Sequence, residues 1–380
     1  MKVGIVVPHI FMQKAILPEV IFSPGTLAID LVEGLPAQGI EPILFTPGPV
    51  DTTVTSQTTD LSYFEAELAA RDDNYLELLK KHPLAFISLS RQVQSELIAQ
   101  AFEMANNGEL DAVHIYANEE DIALPFSRLC AKPVVFTHHD PFNFSANYRS
   151  IFPKYKDANW LSISMAQRKG MPKDTNWVGN IYHGIAEDLF TPNYQPNSDY
   201  VAYLGRVIEA KGVHLAIAAV KLYNQTAKRP LKLKIAGKHY SGAKDSYWQR
   251  LIAPQIDGSE IEYLGYLKTT AEKQNFLGNA ASLIIPSVFE EPFGMVMIEA
   301  LACATPVIGL KSGAISEVLA NPKTGITVSN SPQVASDLAK ALGTLSSLDR
   351  KQCRREFEKR FTLKRMCREH AEVYKQLQNN

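Results

Sequence analysis

Short apolar runs alternate with longer amphipathic segments along most of this chain. Runs rich in β-branched and aromatic residues predict strands at 2–7, 42–45, 112–116, 134–137, 201–205, 231–236, 261–264, 283–286 and 307–310. Apolar residues at helical spacing predict helices at 27–35, 96–105, 213–223, 271–277 and 295–303, with a further helical pattern from 350 to 377. This alternation indicates an α/β fold in which helices flank parallel sheets.

A segment rich in Pro and Asn, residues 190–198, separates two series of strands and helices. The chain has 380 residues, which is long for one hydrophobic core and sufficient for two. We therefore predict one Rossmann-like domain over residues 1–190, a second over 191–360, and a terminal helix over 361–380.

Composition narrows the class of protein. Apolar residues make up 46% and charged residues 21%, as in ordinary globular proteins. The 4 cysteines include no C-x-x-C pair, which favours a reducing compartment over a disulfide framework or a zinc site. The first residues enter a strand directly, and no apolar run reaches the length of a membrane helix. These features predict a cytoplasmic protein.

The net charge of −1 combines an acidic first half with a basic second half. A basic domain suits a phosphate-bearing ligand. The acidic half argues against a docking surface for anionic lipids, so we expect at most peripheral membrane contact. No basic patch interleaved with aromatic residues is present, so no nucleic-acid partner is expected.

The segment from 283 to 310 predicts a strand, a loop, a helix and a second strand. Gly294 lies where the helix begins, and the free N–H groups of a helix start suit an anion. Glu299 falls roughly 7 Å further along the helix, at about 1.5 Å per residue. A carboxylate at that position can accept hydrogen bonds from a sugar diol, whereas Glu291 precedes the helix.

Basic side chains follow the first strand of the second series. Arg206 and Lys211 come directly after Gly205, at the carboxyl end of a predicted parallel strand. Such cations match phosphate oxygens and stabilise the charge that a departing diphosphate develops. Lys238 follows the next strand and is a secondary candidate for the nucleotide.

Two adjacent histidines, His138 and His139, precede Asp140 and Pro141. Adjacent side chains on a strand diverge, and no third ligand is spaced nearby, so we predict no metal site. Asp140 before a proline is typical of a turn.

The residues around Glu291 resemble the E-x7-E motif of retaining nucleotide-sugar glycosyltransferases, family 4. The run from Phe289 to Gly309 carries this resemblance, and the G-R-x4-K-G pattern at Gly205 resembles the donor-phosphate pair of the family. The resemblance is strong from about residue 178 to 330 and weak before it. It implies the GT-B architecture: two facing Rossmann-like doubly wound parallel-sheet domains with an interdomain active-site cleft.

The resemblance also implies roles for the parts. The N-terminal domain would be the acceptor side and the C-terminal domain the nucleotide-sugar (donor) side, with the last helix crossing back to the N-terminal domain. The catalytic residues would be His139, Glu291, Arg206 and Lys211. The donor-binding residues would be Gly25, Gly205, Arg206, Lys211, Lys238, Gly265, Glu291, Phe293, Gly294, Met295, Val296 and Glu299.

The chain departs from the family pattern in three places. His183 and Ala186 replace the usual residues of an Asn-Gly-Ile/Val-Asp segment. Gly25 resembles what remains of the Gly-rich loop after the first strand, but the Glu that usually follows it is absent. Residues 46–83 resemble the family least and are a candidate for acceptor recognition or for a mobile cover.

The implied activity is retaining transfer of a hexosyl group from a UDP- or GDP-sugar to a hydroxyl acceptor. No D-x-D motif is present, so we expect no metal and no cofactor beyond the donor substrate. The alternatives are a sugar-nucleotide epimerase or a glucan synthase of GT-B fold, and a non-catalytic sugar-nucleotide-binding protein. The acceptor stays open, and we expect a monomer or a homodimer.

Overall fold

The chain divides into two compact units. The computed structural model describes residues 1–12, 22–117, 119–197, 199–239 and 247–379. One unit comprises Met1–Tyr182 with Leu363–Asn380, and the other comprises His183–Thr362. The first unit ends before the boundary expected at residue 190. Residues beyond Tyr182 are held in the second unit because Arg354 donates to Phe190 O at 3.0 Å and to Glu187 O at 2.9 Å.

The first unit is built on a parallel sheet. Its strands are β1 (Lys2–Val6), β2 (Glu41–Thr46), β3 (Ser56–Thr58), β4 (Ala112–Ile115), β5 (Val134–Thr137), β6 (Asn159–Ser162) and β7 (Trp177–Asn180). Its helices are α1 (Ser23–Gly34), α2 (Ser62–Arg71), α3 (Tyr75–Lys81), α4 (Pro83–Asn106), α5 (Glu120–Phe126), α6 (Ala146–Ile151) and, from the end of the chain, α13 (Leu363–Gln378). Among the described residues the strand order is β3-β2-β1-β4-β5-β6-β7. The order reverses at β1, and the crevice for a ligand in such sheets lies beyond the carboxyl ends at that point.

The final helix, α13, packs on α1 within the first unit. The contact is close, since a Cβ added to Gly34 would lie 2.5 Å from the Cys367 sulfur. The Tyr374 hydroxyl lies 2.7 Å from Nδ1 of the buried His114 on β4. The helix therefore completes the core on one face of this sheet.

The second unit also has an all-parallel sheet. Its strands are β8 (Tyr200–Leu204), β9 (Lys232–Ala236), β10 (Ile261–Gly265), β11 (Ser282–Ile285), β12 (Val307–Leu310) and β13 (Gly325–Val328). Its helices are α7 (Val213–Asn224), α8 (Thr270–Gly278), α9 (Met295–Ala302), α10 (Ile315–Val318), α11 (Val334–Leu342) and α12 (Arg350–Arg360). In the part of the chain that the structure describes, the order is β10-β9-β8-β11-β12-β13, which reverses at β8. The ends of β8 and β11 thus flank the expected crevice.

Each predicted strand and helix is confirmed as an element, and most ends are shifted by a few residues; the helix predicted at 96–105 is the last part of the longer α4. Strands β3, β6, β7 and β13 were not predicted. The predicted tail helix is divided into α12 and α13 around Phe361 and Thr362, both of which are buried. The segment 46–83 folds into β3, α2 and α3, and it contributes Phe64 and Leu78 to the core. None of the helices within the described residues is both long and apolar enough to span a bilayer.

Candidate active site

Three glycines, Gly205, Gly237 and Gly265, lie at the carboxyl ends of β8, β9 and β10. Gly205 N donates to Ala236 O at 3.0 Å, and Gly237 N donates to Gly265 O at 2.7 Å. A Cβ on Gly237 would lie 1.7 Å from Gly205 O, so this approach requires glycine. A ligand can come within contact distance of the main chain at this edge.

The loop after β8 carries Arg206 and Lys211. Arg206 is exposed, and Lys211 ends a 3₁₀ turn that Gly212 closes at φ +69°. The turn docks on the loop after β11 because Ala210 O accepts from the N–H groups of Val288 and Phe289, each at 3.1 Å. Lys211 is thereby aimed at the segment that precedes α9.

Lys211 and Glu291 form an ion pair, with Lys211 Nζ 2.5 Å from Glu291 Oε1. Glu291 is only 7% exposed, and Lys211 Nζ also lies 5.2 Å from the ring centroid of Phe289. The two residues that the sequence assigns to phosphate and sugar therefore touch each other. A ligand at this point meets a positive and a negative group side by side.

The loop after β12 fixes the main chain of Glu291. Ala314 N donates to Glu291 O at 2.8 Å, and the Ser312 hydroxyl donates to Phe289 O at 2.7 Å. Gly313 has φ +54°, and a Cβ there would lie 2.1 Å from Glu291 O. Sequence reasoning missed Gly313, although a glycine just past a strand end was the available signal.

Gly294 directly precedes helix α9, and its φ of +93° is in the left-handed region. The N–H groups of Met295 and Val296 in its first turn have no carbonyl of the helix to bind, as at any helix start. Phe293 is buried, and its ring centroid is 4.9 Å from that of His183. His183, a departure from the family pattern, thus supports the loop that leads into the helix.

Glu299 lies on α9 and is 9% exposed. Its Oε1 accepts a hydrogen bond from Lys273 Nζ at 3.0 Å. Its Oε2 is buried and has no hydrogen-bond partner among the described residues. An ionised carboxylate oxygen only accepts hydrogen bonds, so this position favours a ligand with a hydroxyl donor. Sequence reasoning missed Lys273.

Aromatic rings surround the ends of β9 and β10. Lys238 Nζ lies 4.6 Å from the ring centroid of Tyr266, next to Gly265. His239 stacks on Trp248 with a centroid distance of 4.0 Å and an interplanar angle of 3°. Lys238 is thus placed at the same sheet edge as Gly205.

In the first unit, His139 follows β5 and is buried. Its Nε2 donates to Tyr116 O at 2.6 Å. Burial lowers the pKa of His139 to about 3, against the opposing effect of that hydrogen bond. The ring is therefore neutral near pH 7, and its Nε2 carries the proton.

His138 serves the core of the same unit. Its Nδ1 lies 3.1 Å from Glu120 Oε2, and its ring packs on Phe142 and Phe152. Gln167 fixes the turn that follows by donating to His138 O and Asp140 O. His138 and His139 therefore have different buried partners.

Gly25 lies in the first turn of α1, and its expected placement in a loop is wrong. A Cβ there would lie 2.4 Å from the Met12 sulfur and 2.8 Å from the Phe22 ring. The glycine therefore permits close packing at the helix start. The remainder of the expected loop, residues 13–21, lies outside the described residues.

The fold of this chain matches that of several solved structures. The chain superposes on sucrose-phosphate synthase from Thermosynechococcus elongatus with a TM-score of 0.70 at 17% identity, over 99% of both chains. The fold is GT-B. Anabaena HepE in complex with UDP-glucose gives a TM-score of 0.66 at 16% identity, over 99% of this chain and 100% of that one.

Sequence comparison matches the second unit to one family. Residues 185–360 match the model of glycosyl transferases group 1. D-inositol 3-phosphate glycosyltransferase of Pseudarthrobacter chlorophenolicus is 30% identical over 158 residues, 38% of this chain and 36% of that protein. Lipopolysaccharide 1,2-N-acetylglucosaminetransferase of Salmonella typhimurium is 29% identical over 157 residues, 40% of this chain and 41% of that protein. The chain spans about two fifths of the length of the curated relatives it matches.

Proposed function

We propose that this protein is a retaining glycosyltransferase. It transfers a hexosyl group from a UDP- or GDP-sugar to a hydroxyl acceptor and needs no divalent metal. The observation that carries the proposal is the pair of buried glutamates, Glu291 and Glu299, each held by a lysine on the second unit. The match of residues 185–360 to glycosyl transferases group 1 supports it.

The donor would lie along the carboxyl edge of the second sheet. Its ribose would donate to Glu299, and its diphosphate would meet Arg206, Lys211 and the start of α9. Glu291, beside Lys211, would accept from hydroxyls of the transferred sugar. This order follows the spacing of the groups, because Glu291 precedes the helix start and Glu299 follows it.

In the reaction, the bond from the anomeric carbon to the diphosphate oxygen breaks with its electron pair going to the phosphate. The acceptor oxygen bonds to the anomeric carbon on the same face, and its proton passes to the departing phosphate oxygen. The products are a glycoside and a nucleoside diphosphate. Arg206, Lys211 and the helix start stabilise the added negative charge, which is the part a metal ion plays elsewhere.

His139 would contribute a neutral hydrogen-bonding group and not a base. Its Nε2 already donates to Tyr116, and its pKa of about 3 leaves the ring uncharged at neutral pH. A role as a proton acceptor at Nε2 is incompatible with that arrangement.

A ligand titration tests the proposal. Thermal unfolding is followed in excess EDTA with UDP, GDP, ADP and the corresponding hexose conjugates. The nucleotide that fits should stabilise the protein by about 2.7 kcal/mol at 100 times its Kd. The anomeric configuration of the product, read by proton NMR, then tests retention. Stabilisation by neither the UDP nor the GDP compounds would overturn the proposal, and binding that requires added magnesium or manganese would overturn its metal independence.

A further inference from the structure

The two carboxylate oxygens of Glu299 are in unequal environments. Oε1 is bound by Lys273, whereas Oε2 is buried and has no partner within the described residues. We propose that Lys273 is a positioning residue that makes the nucleotide site selective for ribose carrying its 2′- and 3′-hydroxyls. The inference rests on the proposed function and adds a specificity-determining residue to that site.

Helix α8, which carries Lys273, is anchored by hydrogen bonds at both ends. Helix α8 starts with a capping box in which the Thr269 side chain accepts from Glu272 N and the Glu272 side chain accepts from Thr269 N. At the other end, the Thr305 hydroxyl donates to Leu277 O at 2.8 Å. Lys273 lies between these two anchored ends, and its Nζ is 3.0 Å from Glu299 Oε1.

Charge explains why the lysine matters. The Lys273 ammonium can only donate hydrogen bonds, and its charge is opposite to that of a carboxylate, so it pairs with Oε1 and leaves Oε2 as the unused acceptor. Phosphate oxygens or a carbonyl cannot satisfy such an atom, whereas a ribose hydroxyl can.

The geometry leaves one oxygen for the ligand. Because Lys273 occupies Oε1, the carboxylate cannot turn Oε1 toward the ligand without breaking a 3.0 Å ion pair. Ligand selectivity should therefore depend on the lysine charge and not only on the presence of Glu299.

The experiment compares two ligands on four variants and wild type. Calorimetry gives the Kd of UDP and of 2′,3′-dideoxy-UDP, or of the GDP pair if GDP is the nucleotide that binds. The variants are Lys273→Met, Lys273→Arg, Glu299→Gln and Lys221→Met. Lys221, on α7, is the matched control because its Nζ donates to Gln255 Oε1 at 2.7 Å, a hydrogen bond that involves neither glutamate.

Wild type should prefer the ribose form by about 10- to 150-fold, the equivalent of about 1.5–3 kcal/mol for a hydrogen bond to a charged group. Lys273→Met and Glu299→Gln should reduce this ratio to within about threefold. Lys273→Arg, which keeps the charge, should retain most of the preference, and Lys221→Met should retain all of it.

The outcomes separate the two claims. If wild type binds neither UDP nor GDP, the proposed function is overturned. If wild type prefers ribose and Lys273→Met keeps the same ratio, the positioning role of Lys273 is overturned while the nucleotide site stands. A purely structural role would lower the melting temperature of Lys273→Met and weaken both ligands equally, and this result also counts against the inference.

Discussion

Replacing Gly313 by alanine should displace Glu291 without changing any group that contacts a ligand. Gly313 lies against the Glu291 main chain, where an added Cβ would be 2.1 Å from Glu291 O and 2.4 Å from Glu291 N. Real Cβ atoms essentially never come within 3.0 Å of such atoms, so the loop must move by about the difference. The atoms in the way are main chain, and they cannot rotate aside as a side chain would.

Two effects should lower the free energy of unfolding of Gly313→Ala. An alanine held at a positive φ destabilises the folded state by roughly 1–2 kcal/mol, whatever surrounds it. Forcing a methyl group into packed structure adds about 1–3 kcal/mol more. Gly258 supplies the matched control, because it has φ +72° with nothing within 4 Å of an added Cβ. Gly258→Ala should show the first cost only.

Function should respond more strongly than stability. A displacement of about 1 Å at a reacting group can lower a rate about 100-fold. Turnover of Gly313→Ala should fall by that order with the sugar nucleotide that binds wild type, while the Kd of the free nucleoside diphosphate changes only a few-fold. Urea unfolding, calorimetry and steady-state kinetics on both variants measure these quantities. Equal stability and equal turnover for Gly313→Ala and Gly258→Ala would refute the reasoning.

Further predictions concern the charged groups of the candidate site and the buried His139. Lys211→Ala should weaken nucleoside diphosphate binding by the equivalent of about 1.5–3 kcal/mol and slow turnover, and calorimetry showing a Kd within twofold of wild type would contradict this. Glu299→Ala should weaken UDP and its sugar conjugate alike, whereas Glu291→Ala should spare free UDP and lower kcat; equal loss of UDP in both variants would exclude this division. Burial lowers the pKa of His139 to about 3, so the folded protein keeps it neutral while the unfolded chain, near 6.5, takes up a proton. Above pH 6.5 the residue is neutral in both states and adds no pH dependence, whereas between pH 6.5 and 3 it lowers the free energy of unfolding by about 1.4 kcal/mol per pH unit. The urea midpoint of wild type should consequently fall more steeply than that of His139→Asn between pH 7 and 5, and parallel curves would contradict the assignment.

The pattern of apolar residues in the local sequence was sufficient to predict most strands of the two sheets. Strands such as β5 and β12 are short runs of Val, Ile and Phe, and apolar runs of that kind are buried in a parallel sheet whatever their neighbours are. The strands that escaped prediction have weaker local signals. β6 begins with Asn159 and ends with Ser162, and β7 is only half-buried along its length.

The candidate residues were also visible in the sequence, since Glu291, Arg206 and Lys211 lie beside predicted strand and helix ends and Glu299 lies on a predicted helix. The ion-pair partners of these residues were not visible in the sequence. Lys211 meets Glu291 across 80 positions of sequence because two strand-end loops lie together, and Lys273 meets Glu299 across 26 because α8 packs on α9.

Tertiary structure likewise decided where the first unit ends and what Gly25 and Gly313 do. Arg354 draws residues 187–190 into the second unit through backbone carbonyls, which carry no sequence signature. Gly25 packs a helix start against Met12, and Gly313 admits the main chain of Glu291. A sequence specifies local propensity directly, but hydrogen bonds to distant main chain and the space around a Cβ exist only once the elements have packed.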